Sequence, residues 1–156
     1  MSLTISPATM IDEPFLWEML YQALHVPPGQ PPFSREILQQ LEIRQYLAAW
    51  GQASDFALIA RINGQVVGAA WLRLLKGGYG YVDDATPELT VSVAPEWRGQ
   101  GIGTQLLVEL MKEARTHYAA LSLSVSDSNP AARLYQRLGF EMVKNTGRSL
   151  TMRKEL

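Results

Sequence analysis

Cysteine is absent from this 156-residue chain. That one absence removes disulfides, thiolate zinc sites and a cysteine nucleophile together. An excess of either charge is missing as well. Lys and Arg number 14 against 15 Asp and Glu, a net charge of −1, so nothing advertises nucleic acid or an anionic membrane surface. No apolar run approaches the ~20 residues that a bilayer crossing needs. The opening residues, MSLTISPATMIDEP, carry neither the basic start nor the apolar stretch of a secretory signal. No repeat, low-complexity tract or linker divides the chain. What is present, 47% apolar and 19% charged residues, is the composition of an ordinary globular protein. The expectation is a single cytoplasmic domain over residues 1–156, with no metal, nucleic-acid or membrane partner.

Taken in order, residues 3–5 form a short strand candidate. Asp12 is placed as the N-cap of a first helix, with Pro14 as a start signal and Phe15, Leu16, Met19, Leu20 and Ala23 as its stripe. Four prolines and a glycine within residues 25–33 make an ordered loop or lid. A second helix opens at Ser34, with Ile37, Leu38, Leu41, Tyr46, Leu47 and Trp50 as apolar positions and Gly51 as its stop. Residues 56–61 and 66–75 read as strands joined at Asn63-Gly64, a strong hairpin signal. Gly77-Gly78-Tyr79-Gly80 reads as a flexible link. A strand at 120–126, a short helix at 131–138 closed by Gly139, and a hairpin of 140–144 with 149–153 complete the chain. The order is β-α-α-β-β-β-α-β-α-β-β, an α/β (α+β) mixed sheet flanked by helices.

The stretch ELTVSVAPEWRGQGIGTQLL, residues 88–107, organises the rest. Leu89, Val91 and Val93 alternate with Glu88, Thr90 and Ser92, the period of a strand with one buried face. Pro95 breaks the strand. Gly99, Gly101 and Gly103 then precede a helix whose apolar positions are Ile102, Leu106, Leu107, Leu110, Met111 and Ala114. Glycines just before a helix permit unusual dihedrals and let a ligand approach the backbone, and the first helical N–H groups lie unpaired at the positive end of the dipole. Together they make an anion cradle suited to a phosphate or pyrophosphate. The alternative is a strand-to-helix connection with glycines for tight packing. No glycine completes G-x-G-x-x-G, and no lysine follows as a nucleoside-triphosphate loop requires.

What the stretch does match is R/Q-x-x-G-x-G/A after a strand, with Arg98, Gly101 and Gly103 at the fixed positions. It resembles the acetyl-CoA loop of the GNAT superfamily of N-acetyltransferases. A second segment strengthens the resemblance: Asn129, Ala131, Leu134, Tyr135, Gly139 and Phe140 stand in register with N-x-A-x-x-L-Y-x-x-x-G-F. The resemblance implies a GNAT-like acyl-CoA N-acyltransferase fold and an acetyl-CoA-dependent N-acetyltransferase acting on a primary amine through a ternary complex. It implies that the backbone of Val91, Ser92 and Val93 pairs with the pantetheine arm where the fourth and fifth strands splay. Amides of Gly99, Gln100, Gly101, Ile102, Gly103 and Thr104 then hold the pyrophosphate, with Arg98 adding charge at the lip. Asn129 contacts the cofactor arm, and Tyr135 protonates the leaving thiolate, a task for which a phenol with a pKa near 10 suits. From the residues alone, the alternative readings are an amphipathic packing residue for Tyr135 and a plain N-cap for Asn129.

The amine must lose a proton before it attacks. The fifth-strand position that carries a glutamate in many superfamily members is Ser124 here. Glu88 is the best remaining base, with Asp83 and Asp84 behind it; His117 lies too far along the helix. The bland reading of Glu88 is a solvated edge charge. Trp50, Trp71, Tyr79 and Tyr81 could wall an amine pocket, although aromatics at strand spacing are more often core. The competing reading of the whole chain is a CoA- or acyl-CoA-binding module without turnover. The terminal hairpin offers a surface for a homodimer.

Overall fold

The computed structural model describes residues 2–156. Its strands are β1 (Leu3–Pro7), β2 (Phe56–Ile62), β3 (Gln65–Arg73), β4 (Glu88–Val93), β5 (Ala120–Ser126), β6 (Glu141–Asn145) and β7 (Ser149–Glu155). The helices are α1 (Glu13–Ala23), α2 (Leu41–Arg44), α3 (Ile102–Ala114) and α4 (Ala131–Arg137). The strands form one sheet in the order β1-β2-β3-β4-β5-β7-β6, antiparallel except where β4 meets β5. The element order is the one expected. Among the described residues no helix is long and apolar enough to cross a membrane.

Side-chain alternation divides the sheet into two faces. Leu72, Leu89, Leu121 and Leu123 bury against the Leu106, Leu107 and Leu110 ridge of α3. Removing each such leucine from water contributes about 2 kcal/mol. On the opposite face Ile59, Ala69 and Trp71 pack beneath Leu16 and Leu20 of α1 and Leu47 beyond α2. The β2–β3 turn is made by Asn63 (φ 51°) and Gly64 (φ 80°), the left-handed pair that matches strand twist.

Two local expectations are corrected. The second helix is broken: a 3-10 turn over Arg35–Gln39 and the single turn of α2 are separated by Gln40 in an extended conformation. A continuous helix would bury Leu41, which instead stands 74% exposed while Ile43, Tyr46 and Leu47 enter the core. Tertiary packing overrides the helical spacing. Asp12 does not cap α1 with its side chain. Its carboxylate is buried, accepting from the Thr9 N–H (2.9 Å) and from Arg61 Nη2 (2.6 Å) on β2, and these hydrogen bonds hold its pKa below the usual carboxylate value.

Candidate active site

Beyond β4 the chain makes a 3-10 turn at Pro95–Trp97 and then the glycine loop. Gly99 and Gly101 adopt φ of 78° and 83°, left-handed backbone that a side chain resists. A Cβ at either position would meet nothing within 4 Å. Packing therefore does not require these glycines, and the space beside them is open. The N–H groups of Gly99, Gln100, Gly101, Ile102, Gly103 and Thr104 have no acceptor among the described residues; the first helical bond runs from Gln105 N–H to the Gly101 carbonyl (3.1 Å). Consecutive unpaired donors at the positive end of α3 suit a diphosphate. Arg98 does not stand free at the lip. Its Nε donates to the Val93 carbonyl and its Nη2 to the Gln22 carbonyl on α1, each at 2.9 Å, so it fastens the loop to both neighbours.

Next to this loop the sheet opens. The parallel ladder between β4 and β5 consists of Glu88 opposite Ser122, with the Ser122 N–H on the Pro87 carbonyl (3.0 Å). Past that point the β5-facing backbone of Val91 and Val93 has no ladder partner, while Ser92, expected to join them, turns its main chain to Ala69 on β3. Val91 and Val93 are half-buried on the α3 face. Ser92 is buried on the other, its Oγ without a partner.

Tyr135, on α4, packs against the α3-face core with its ring edge-on to Phe140 at 6.1 Å. Burial pushes its phenol up to about 12, so it stays protonated throughout the neutral range. Asn129 accepts the Ala131 N–H on Oδ1 (2.9 Å). That is the capping geometry, and it leaves the carboxamide nitrogen for another partner.

Glu88 is not a solvated edge charge. It is 3% exposed on the face opposite Leu89, and its Oε2 accepts from the Tyr46 hydroxyl at 2.5 Å. Desolvation raises its pKa to about 7, against the opposing pull of the Tyr46 hydrogen bond and the Gly80 backbone. The cover is residues 74–87, which form a strap and not a free link. Gln45 Nε2 holds the Gly77 carbonyl (2.8 Å), the Tyr79 N–H donates to the Tyr46 hydroxyl oxygen (3.0 Å), and Thr151 Oγ1 donates to the Tyr79 carbonyl (3.3 Å). Glu88 on β4 and Tyr135 on α4 thus lie on opposite faces of the sheet. Sequence reading missed Tyr46 and Gln45 as parts of this site; no spacing links them to residues so far along the chain.

The remaining candidates lie apart. Asp83 is exposed, its pKa lowered first by the Thr86 side chain and then by the Ala85 N–H. Asp84 accepts from the Tyr81 hydroxyl at 2.7 Å, and His117 is an exposed neighbour of Glu113 on the far end of α3. Trp71 is fully buried core, and Trp50 stacks with Arg73 (5.3 Å); Tyr79 and Tyr81 alone of the four are exposed. Among the described residues no cluster of His, Asp and Glu could hold a metal.

The family model described as Acetyltransferase (GNAT) family matches residues 17–140. A mycothiol acetyltransferase of Thermobifida fusca is 31% identical over 119 residues, 74% of this chain and 36% of that protein. The chain thus spans about a third of the length of the curated relatives it matches. Among solved structures, a ribosomal-protein-alanine N-acetyltransferase from Brucella melitensis aligns over 98% of this chain and 99% of its own, with 29% identity and a TM-score of 0.71. The yncA acetyltransferase structure from Salmonella typhimurium, solved with its cofactor acetyl-CoA, aligns over 100% and 95%, with 26% identity and a TM-score of 0.69.

Proposed function

The chain belongs to the acetyltransferase (GNAT) family, and from that membership we propose that it transfers an acetyl group from acetyl-CoA to the primary amine of a small molecule or peptide within a ternary complex. The observation that carries the proposal is the run of unbonded main-chain donors from Gly99 to Thr104, beside left-handed glycines that face open space. That cradle fits the diphosphate of the cofactor. On the β5 side of β4 the backbone of Val91 and the Val93 N–H are free to pair with the pantetheine arm in the strand opening, while the Val93 carbonyl is held by Arg98 and Ser92 turns its main chain to β3. Acetyl-CoA, when bound, supplies a thioester carbon that accepts the amine and a sulfur that leaves.

Glu88 acts from the α1 face. With a pKa of about 7 it is substantially ionised at neutral pH and takes the proton of the ammonium, freeing the lone pair that forms the new C–N bond as the C–S bond breaks. Main-chain N–H groups near Val93 stabilise the oxygen on which charge collects. Tyr135 acts from the α3 face. Its phenol, raised by burial and therefore protonated at neutral pH, gives its proton to the departing sulfur and regains one from the acylated nitrogen. The name of the Brucella protein supports an amine acceptor. Exposed Met142 and Val143 on the edge strand β6 support self-pairing through the closing hairpin, which sedimentation at micromolar concentration tests.

The deciding experiment is release of free thiol from acetyl-CoA across a panel of amino acids, polyamines, aminoglycosides and peptide N-termini. We expect amine-dependent release that falls at least tenfold in kcat in Glu88→Gln. Tight acetyl-CoA binding with no release for any amine class makes the chain a CoA-binding module instead.

A further inference from the structure

We propose that Tyr46 is the positioning residue of Glu88, and that its phenol ties the carboxylate to the strap over residues 74–87. The inference rests on the reading of Glu88 as base. Its observations are geometric. The Tyr46 side chain is 8% exposed, donates to Glu88 Oε2 at 2.5 Å and accepts the Tyr79 N–H at 3.0 Å. Gly78 lies so close over the same carboxyl that a Cβ there would sit 2.1 Å from Oε1. That oxygen has no hydrogen-bond partner of its own. One oxygen is therefore fixed by the Tyr46 hydroxyl, and the other lies buried beneath Gly78.

The other charged groups around this carboxyl are committed. Arg73, opposite Glu88 on β3, donates to Asp55 and to the carbonyls of Gln45 and Ala48. Arg153, opposite Ser122 on β7, reaches Glu155 at 3.6 Å. Burial, and after it the charge of Glu42 on α2, raises the Tyr79 phenol. Tyr46 is thus the one donor side chain on Glu88 among the described residues, and it favours the ionised form.

Glu88 can be followed without any acceptor, by carbon-13 NMR of glutamate-labelled protein, its carboxyl signal identified by its loss in Glu88→Gln. In Tyr46→Phe the Glu88 midpoint should rise by roughly one pH unit, and the acidic limb of kcat/KM should move with it while acetyl-CoA affinity by calorimetry holds. An unmoved midpoint overturns the proposal alone. Full kcat in Glu88→Gln overturns the base assignment beneath it. The wild-type protein supplies an independent reading: the Tyr79 amide signal should titrate with the Glu88 midpoint and lose that titration in Glu88→Gln. An amide that ignores Glu88 in the wild type overturns the link to the strap even if Tyr46→Phe does not fold.

Discussion

Two glycine-rich connections flank β4, and glycine does opposite work in them. After the strand, Gly99 and Gly101 take left-handed backbone and face open space, so an added Cβ would strain the chain and touch no protein atom. Before the strand, Gly78 and Gly80 lack the left-handed φ of the other loop. There a Cβ would strike the Glu88 carboxylate (2.1 Å) or the Leu123 backbone (2.6 Å). One loop holds room for a ligand beside its amides. The other closes protein onto protein and seals a carboxylate from water. Glycine spacing alone reads the same in both; backbone conformation and the neighbouring atoms distinguish them.

The comparison breaks most visibly at Gly101. Valine there would force a β-branched residue to a φ of 83° and place its methyl groups in the open space beside the donors. Losing even two charge-assisted hydrogen bonds of ~2 kcal/mol each weakens binding roughly a thousandfold. Calorimetric titration with CoA should show that loss while thermal denaturation stays cooperative. Unchanged affinity removes the diphosphate from this loop.

Glu88 tests the sealed side through pH. Its folded pKa of about 7 lies above the ordinary 4.5, so the native state binds this proton more tightly than the unfolded chain does. Its contribution to stability is therefore complete below about pH 4.5 and is lost as pH rises through 7. Glutamine does not titrate. Urea denaturation at pH 4.5 and pH 8 should show Glu88→Gln gaining on the wild type by on the order of 3 kcal/mol between the two pH values. A pH-independent difference means the carboxylate is solvated and the strap is no seal.

The two sides were unequally legible in the sequence, for a physical reason. The cradle is built from consecutive backbone groups, so Arg98, Gly101 and Gly103 announce it within one turn of chain, and the order of strands and helices follows from short-range periodicity. The environment of Glu88 is assembled from Tyr46, Gly78 and Ser122, brought together only by the sheet and the strap. Strand alternation placed the Glu88 carboxylate on the face opposite Leu89, where it lies. Its burial, its raised pKa and its phenol partner are tertiary facts, as is the break at Gln40 that turns Tyr46 inward.

Tyr135 sharpens the contrast between faces. If its hydroxyl serves only the departing sulfur, Tyr135→Phe should lower kcat about a hundredfold, the usual cost of one lost donor to developing charge, with little change in CoA affinity. Steady-state kinetics beside calorimetry separates the two. Equal kcat in both proteins takes the phenol out of the mechanism, and the ring then remains as packing against Phe140.

The smallest effect is expected at Arg98, and it asks whether the cradle works through charge or through shape. The guanidinium is exposed, yet its two hydrogen bonds run to the carbonyls of Val93 and Gln22, so it joins the end of β4 and the last turn of α1 to the loop. Solvent screens its charge at the site, and what Arg98→Ala removes is chiefly this fastening. CoA affinity should fall by no more than about tenfold, the equivalent of one hydrogen bond's net contribution. The loss should depend little on ionic strength if, as proposed, the donors that meet the diphosphate are main-chain N–H groups. Arg98→Lys, which keeps the charge but cannot span both carbonyls in a planar fork, should resemble alanine. A lysine variant that restores full affinity, and loses it again in high salt, would show a direct phosphate contact instead.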